Sequence, residues 1–89
     1  MRFKITYDLG GSLCGSGDEF EEEFETQSQA DQEAYEKACE LYDSFVGMYG
    51  LRTEDDIAKE ESLDDLDEIR QIFEQERESW LEYSAVPIS

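Results

Sequence analysis

Four glutamates at alternate positions of one short segment are the first side chains in this sequence that could do chemistry. They are Glu19, Glu21, Glu23 and Glu25. A second acidic group comprises Asp64, Asp65, Asp67 and Glu68. Carboxylates transfer protons, bind hard cations or pair with lysine and arginine, and each kind of chemistry makes different demands on the rest of the chain.

The rest of the chain does not support common forms of catalysis. The sequence contains no histidine, which excludes Ser-His-Asp and Cys-His arrangements and removes the commonest general base near neutral pH. The glycine-rich residues 10–17 lack the Gly-Lys-Ser/Thr ending of a phosphate loop and precede an acidic strand. A chain this short also has little room for a substrate cleft. We therefore expect no enzymatic activity.

The acidic residues 64–68 do not match a calcium-binding loop, because the required glycine is absent and the segment begins a predicted helix. We expect weak, non-specific binding of divalent cations there, with no dedicated metal site and no cofactor. Cys14 and Cys39 can form at most one disulfide, so reduced thiols are the expected state. Cys39 lies on an apolar helical face and is predicted to be a core residue.

Net charge is the outlying property of this chain. Among 89 residues, 25 are acidic and 7 basic, which gives a formal charge of −18. Such a surface is driven away from phosphates, so direct binding of DNA or RNA is not expected. No segment approaches the roughly 18 apolar residues of a membrane span, and the N-terminus lacks an apolar signal core. These features favour an intracellular protein whose carboxylates meet the cations of another protein.

The elements that would position these carboxylates form an α+β fold, with a small antiparallel β-hairpin or sheet packed against two α-helices. We predict one domain over residues 1–89. Alternation of apolar and polar residues predicts the hairpin, and helical spacing predicts the helices. The predicted elements are a β-hairpin at 2–26, a helix at 29–49 that Gly50 ends, a short helical turn at 54–60 and a helix at 63–82. The tail at 84–89 either frays or adds a short edge strand, because Pro87 excludes a central one.

In the second strand of this hairpin, Glu19, Glu21, Glu23 and Glu25 share one face. Residues two apart along a strand are roughly 6.6 Å apart. Successive phosphates of one nucleic-acid strand lie about 6–7 Å apart through space, although their axial rise is about 3.4 Å. A row of glutamates with this spacing can therefore stand in for a phosphate backbone. The same hairpin places Arg2 and Lys4 across from the glutamates, which fixes the register and offsets part of the repulsion.

A chain under 100 residues with extreme acidity, no catalytic constellation and a compact α+β pattern resembles the small nucleic-acid-mimic inhibitors of phages and mobile elements. Anti-CRISPR and antirestriction proteins are the best-known groups. The resemblance lies in size and charge over the whole chain, and no family motif is matched residue by residue. It implies a protein of the cytoplasm of a bacterial host cell.

This resemblance also implies a mechanism. The carboxylates would occupy the lysines and arginines with which a CRISPR effector or another DNA-binding nuclease grips DNA, including the pocket that reads the protospacer-adjacent motif. The predicted contact residues are Glu19, Glu21, Glu23, Glu25, Asp64, Asp65, Asp67 and Glu68. Tyr7 and Tyr83 are candidate anchors, since charge alone raises the association rate more than the affinity.

The alternative is an acidic interaction or adaptor module without mimicry, whose charge serves only solubility. Such a module would bind a basic partner or a second copy of itself through an apolar patch. Its contacts would be aromatic, drawn from Tyr42, Tyr49, Trp80 and Tyr83. A homodimer is compatible with either function, because a small hairpin with an open edge can continue its sheet into a partner.

Overall fold

A computed structural model describes residues 1–88, and within them the chain has the predicted α+β architecture. The elements follow the order β1 (Arg2–Leu9), β2 (Asp18–Glu23), α1 (Gln27–Phe45), α2 (Glu54–Glu60), α3 (Leu66–Trp80) and β3 (Leu81–Pro87). The strands form one antiparallel sheet in the order β2-β1-β3. The short turn predicted at 54–60 is α2. Ser89, the end of the predicted tail, lies outside the described residues.

β1 is the central strand because its inward side chains are all apolar. Phe3, Ile5 and Leu9 are buried, and Ile5 lies opposite Phe20 of β2. The residues between β1 and β2 include a short 3-10 turn at Gly11–Leu13. The predicted hairpin is therefore present, but β2 ends at Glu23 and does not continue to residue 26.

α1 packs against β1 and β3 through a row of alanines. Ala30, Ala34 and Ala38 are buried at intervals of four residues, and Tyr42 continues the row into the core. Residues four apart lie on one face of a helix, and the small alanine side chains let the helix backbone approach the sheet closely. The face of α1 opposite these alanines is left to solvent.

The bounds predicted for this helix, 29–49, are wrong at both ends. α1 begins at Gln27 because the Thr26 side chain accepts a hydrogen bond from the backbone N–H of Gln29 and caps the helix. At the other end α1 stops at Phe45, and Gly47, with φ of 89°, is the first left-handed residue after it; Gly50 is also left-handed, with φ of 82°, but it lies beyond the end of the helix. Beyond this turn the chain folds back, because the Leu51 carbonyl accepts a hydrogen bond from the Gly47 N–H at 2.8 Å, and the Leu51 side chain is buried.

The helix predicted at 63–82 is also shorter, because α3 spans Leu66–Trp80. Ser62 adopts φ of 54°, which is outside the helical region, and Asp65 caps the helix instead. After Trp80 the chain enters β3 directly. Of the two alternatives for the tail, the structure has the edge strand. The Ile88 N–H donates to the Arg2 carbonyl at 3.0 Å, so by alternation the backbone of Pro87 faces away from β1, where no N–H is required.

The core follows the long axis of the molecule. One cluster joins Phe3 and Ile5 to Ala30 and Ala34, and the next is built around Leu9, Leu13, Tyr42 and Leu51. The Cα atoms extend over 51 × 26 × 15 Å, with a radius of gyration of 15.2 Å. A compact chain of this length would have a radius of gyration of about 12 Å. The molecule is thus an elongated slab, with the sheet towards one end and the start of α3 at the other.

The predicted cytoplasmic location depended partly on the lack of a membrane segment. None of the helices in residues 1–88 combines the length and the apolar character that crossing a membrane requires. The location itself stays a prediction.

Candidate protein-binding surface

The structure places three of the four predicted second-strand glutamates on one face of the sheet. Glu19, Glu21 and Glu23 are exposed on β2 and point away from α1, on the opposite face from Phe20. Glu25 lies beyond the end of β2, where its N–H donates to the side chain of Gln29 at 3.0 Å. The row is therefore shorter than predicted.

Two of these three glutamates are ion-paired. Arg2 contacts Glu21 at 3.2 Å and Lys4 contacts Glu19 at 3.3 Å. Both pairs are diagonal, since Arg2 lies directly opposite Glu23 and Lys4 opposite Glu21. Among residues 1–88, Glu23 has no ion pair. Exposed pairs of this kind contribute about 0.2–1 kcal/mol each, so a partner's cations can replace Arg2 and Lys4 at little cost.

The second predicted group has two different roles. The Asp65 carboxylate accepts hydrogen bonds from the N–H groups of Asp67 and Glu68, so this residue stabilises the start of α3. Asp64, Asp67 and Glu68 are exposed. Their negative charge also suits the positive end of the α3 dipole.

The two predicted groups are not brought together. Asp67 lies thirteen residues before Trp80, or about 20 Å along α3 at 1.5 Å per residue. Trp80 joins the sheet at the end of β1, where its carbonyl accepts from the Gly10 N–H at 2.8 Å. Glu23 pairs with Arg2 at the opposite end of β1. A small ligand cannot contact both groups, whereas an extended macromolecular surface can.

α1 carries an acidic row that the sequence reading missed. The face opposite its alanines carries the half-buried Glu33 and the exposed Glu36, Glu40 and Asp43, at intervals of three, four and three residues. Lys37 pairs with Glu40 at 3.7 Å. The spacing is present in the sequence as the polar complement of the apolar helical pattern.

α3 lies beside α1 and carries a third acidic row. Asp67, Glu74 and Glu78 are exposed at helical spacing, and a groove between the helices is lined by Tyr35, Gln71, Glu74, Gln75, Arg77 and Glu78. The Tyr35 hydroxyl donates a hydrogen bond to Glu78. This bond to an anion raises the pKa of Tyr35 to about 12, because loss of the proton would place two negative charges in contact.

Two cations near this groove, Arg77 and Lys37, already contact side chains of the protein itself. The Arg77 guanidinium lies 5.9 Å from the centre of the Phe73 ring, which is cation–π geometry. Lys37 is the cation paired with Glu40. The cation–π contact leaves the charge of Arg77 in place, so the helical side of the slab presents the seven carboxylates of the α1 and α3 rows with two nearby cations, Arg77 and Lys37.

Comparison with protein-family models, curated proteins and solved structures gave no match.

The predicted aromatic contacts differ in accessibility. Tyr83 is 44% exposed and packs edge-on against Tyr35, with ring centres 5.5 Å apart. Tyr7 is half-buried against Phe20. Tyr42 is completely buried and cannot contact a partner. Tyr49 is exposed at the end of the molecule away from the sheet, where it contacts Phe45.

Within residues 1–88, no group of three or more His, Cys, Asp or Glu side chains is arranged to hold a metal ion. The acidic rows instead lie along three separate elements, each open to solvent. The acidic rows can attract the cations of another molecule over a long surface and form ion pairs with them.

Proposed function

We propose that this protein binds the basic, nucleic-acid-binding surface of a bacterial defence enzyme, of the anti-CRISPR or antirestriction type, and blocks that surface as an acidic mimic of DNA. It acts without catalysis, in the cytoplasm of a bacterial cell. The observation that carries the proposal is the set of exposed acidic rows on β2, α1 and α3 along a slab 51 Å long.

The spacing within the rows supports this proposal. The α1 row, from Glu33 to Asp43, is about 15 Å long at 1.5 Å per residue, which corresponds to about four base-pair rises of 3.4 Å. Side chains three or four residues apart on a helix are about 5–6 Å apart, close to the separation of phosphates along one strand. The rows on α1 and α3 therefore fit a basic groove better than the β2 row does, because Arg2 and Lys4 partly neutralise the latter.

The charge distribution also sets how such binding would respond to salt. An acidic protein approaching a basic groove is steered by long-range attraction, which raises the association rate and weakens steeply with ionic strength. The target enzyme would not be able to bind this protein and duplex DNA at the same time. Both properties are measurable and neither is expected of a contact that is mainly apolar.

The experiment is a salt-titrated pull-down of the tagged protein from lysates that express CRISPR effectors and restriction enzymes, with duplex DNA as competitor. Capture of a nuclease that weakens with salt and is displaced by DNA supports mimicry. Capture that is indifferent to DNA, or of no nucleic-acid enzyme, contradicts it.

Two matched variants then locate the contact. One carries Glu19→Gln, Glu21→Gln and Glu23→Gln on β2, and the other carries Glu33→Gln, Glu36→Gln and Asp43→Asn on α1. Each removes three negative charges from one face. We expect the α1 variant to lose at least tenfold more affinity for the captured nuclease. Equal losses would mean that total charge, not a particular face, determines binding.

The alternative function, an acidic adaptor that can associate with itself, is favoured by the edge of β3. Five of the six residues of β2 are acidic, and their charge protects that edge from pairing with a strand of another molecule. β3, in contrast, carries one acidic residue and exposes Tyr83 and Val86. Sedimentation over a range of protein concentrations tests this function. A dimer that Val86→Lys dissociates, and that does not compete with DNA for any nuclease, would replace the proposed function with the alternative.

A further inference from the structure

The turn between α1 and α2, residues 47–50, holds two large apolar side chains out in solvent. Met48 is 50% exposed and Tyr49 is 66% exposed. Tyr49 has φ of 55°, in the left-handed region that side chains with a Cβ rarely adopt. Such conformations cost free energy and persist only where the surrounding structure imposes them. We call residues 47–50 with these side chains the tip.

The tip is a fixed structure. The Gly47 N–H donates to the Leu51 carbonyl at 2.8 Å, and the Leu51 N–H donates to the Met48 carbonyl at 2.9 Å. Leu51 itself is buried in the core. The Tyr49 ring rests edge-on against Phe45, with centres 5.7 Å apart, and Phe45 packs on the same core cluster. An exposed aromatic ring supported in this way loses little conformational entropy on binding, which is a property of interface anchors.

The elements on either side of the tip carry carboxylates. Asp43 lies in the last turn of α1, and Glu54 and Asp55 are the first residues of α2, directly after Thr53, whose methyl group would lie 3.5 Å from a Cβ on Gly47. Arg70 makes one long contact with Glu54, at 3.9 Å, and its side chain is largely exposed, so it neutralises little of this negative charge. An apolar centre with an acidic rim is complementary to an apolar pocket with a basic rim, and it repels acidic partners.

We propose that the tip is an anchor that inserts Tyr49 and Met48 into an apolar pocket flanked by lysines and arginines on the partner protein. The inference rests on the proposed function, in which the partner surface is basic. Within that function it assigns affinity to the tip, whereas the acidic rows supply attraction at a distance. A pocket that accepts a nucleic-acid base between basic side chains has this chemistry, because a base also presents a flat ring next to anionic groups.

The test uses two labelled arginine-rich peptides as probes, one with a central tryptophan and one with serine in its place. Fluorescence anisotropy measures their binding to the whole protein. We expect the tryptophan peptide to bind about tenfold more tightly, which is about 1.4 kcal/mol, within the range of a buried aromatic contact. The double variant Met48→Ser/Tyr49→Asn should abolish this gain and leave binding of the serine peptide unchanged. Asparagine tolerates the left-handed conformation, so the turn is kept.

Tyr83→Ser is the matched control, since it removes an exposed tyrosine from the opposite part of the molecule. A gain from tryptophan that survives in the double variant, or that Tyr83→Ser removes equally, would overturn the tip as the anchor. Failure of both peptides to bind would instead contradict the proposed function, because the serine peptide depends on charge alone.

Discussion

The backbone N–H of Gly17 donates a hydrogen bond to the Asp8 carboxylate at 3.0 Å and ties the start of β2 to the end of β1. The same carboxylate accepts the N–H groups of Leu9 and Gly15, each at 2.8 Å. Gly17 lies so close to β1 that a Cβ on it would approach the Tyr7 carbonyl oxygen to 1.9 Å. One carboxylate and one glycine thus close the connection between the first two strands.

We predict that Asp8→Asn lowers the free energy of unfolding at neutral pH by about 1–3 kcal/mol, because hydrogen bonds to a charged group are lost or weakened. Partial burial opposes ionisation, but the backbone donors prevail and hold the pKa of Asp8 below its ordinary value. The stabilisation is therefore fully present above about pH 4, which is the pKa of an aspartate in an unfolded chain. It is lost as the pH falls through the lower pKa that Asp8 has in the folded protein. Urea unfolding of both proteins at pH 7 and at about pH 2 measures the difference. A difference that does not shrink in acid would contradict this role of Asp8.

The Arg52 guanidinium holds α2 against α3. It pairs with Glu76 of α3 and also contacts Glu61 at 3.3 Å and Glu60 at 3.6 Å. The hydrogen bond that Arg52 donates to Glu76 raises the pKa of Arg52, so its charge is constant. We predict that Arg52→Met lowers the melting temperature more than Arg70→Met does, because it leaves three carboxylates facing one another. Arg70 is the matched control, since it makes one long contact with Glu54 at 3.9 Å. The loss should be larger at low salt, and equal losses in the two variants would be inconsistent with this cluster.

Periodicity was enough to predict the faces of the main elements, but their ends depend on side-chain contacts that no pattern specifies. Thr26 caps α1, which begins two residues before the predicted start at 29, and Asp65 caps α3, which begins three residues after the predicted start at 63. The change from α3 to β3 after Trp80 has no turn signal, since Leu81 also continues the apolar row of the helix. Pairing with β1 decides the conformation there, and pairing is a contact between residues far apart in the sequence.

The candidate surface was predictable to a similar degree. Alternation placed Glu19, Glu21 and Glu23 on one face, and the structure has them there. Which carboxylates are already ion-paired was not predictable, because the diagonal contacts of Arg2 and Lys4 depend on side-chain reach across the sheet. Tyr49 was predicted as a contact of the adaptor alternative, but its place in an exposed turn was not predictable, because the predicted helix extended to residue 49 whereas α1 ends at Phe45.

Tyr42 is fully buried, and among residues 1–88 its hydroxyl has no hydrogen-bond partner. Burial raises the pKa of this side chain, which therefore stays neutral at ordinary pH. We predict that Tyr42→Phe is neutral or raises the free energy of unfolding by up to about 1 kcal/mol, because it removes an unpaired polar group and keeps the ring that packs on Phe73. Tyr42→Ala, which removes the ring, should cost about 3–5 kcal/mol. Chemical denaturation compares the variants. A loss above about 1 kcal/mol for the phenylalanine variant would mean that the hydroxyl is hydrogen-bonded in solution.

Glu21 and Glu23 are neighbours on the same face of β2, but only Glu21 is ion-paired. In a protein with a net charge of −18, an unpaired surface carboxylate adds repulsion to the folded state. We predict that Glu23→Gln raises the free energy of unfolding by a few tenths of a kcal/mol at low ionic strength, whereas Glu21→Gln leaves it unchanged or lowers it by about as much. At about 1 M salt the Debye length falls to about 3 Å, so both effects should nearly vanish. Thermal unfolding at two salt concentrations provides the comparison. If the two variants behave alike at low salt, the preference of Arg2 for Glu21 over Glu23 is absent in solution.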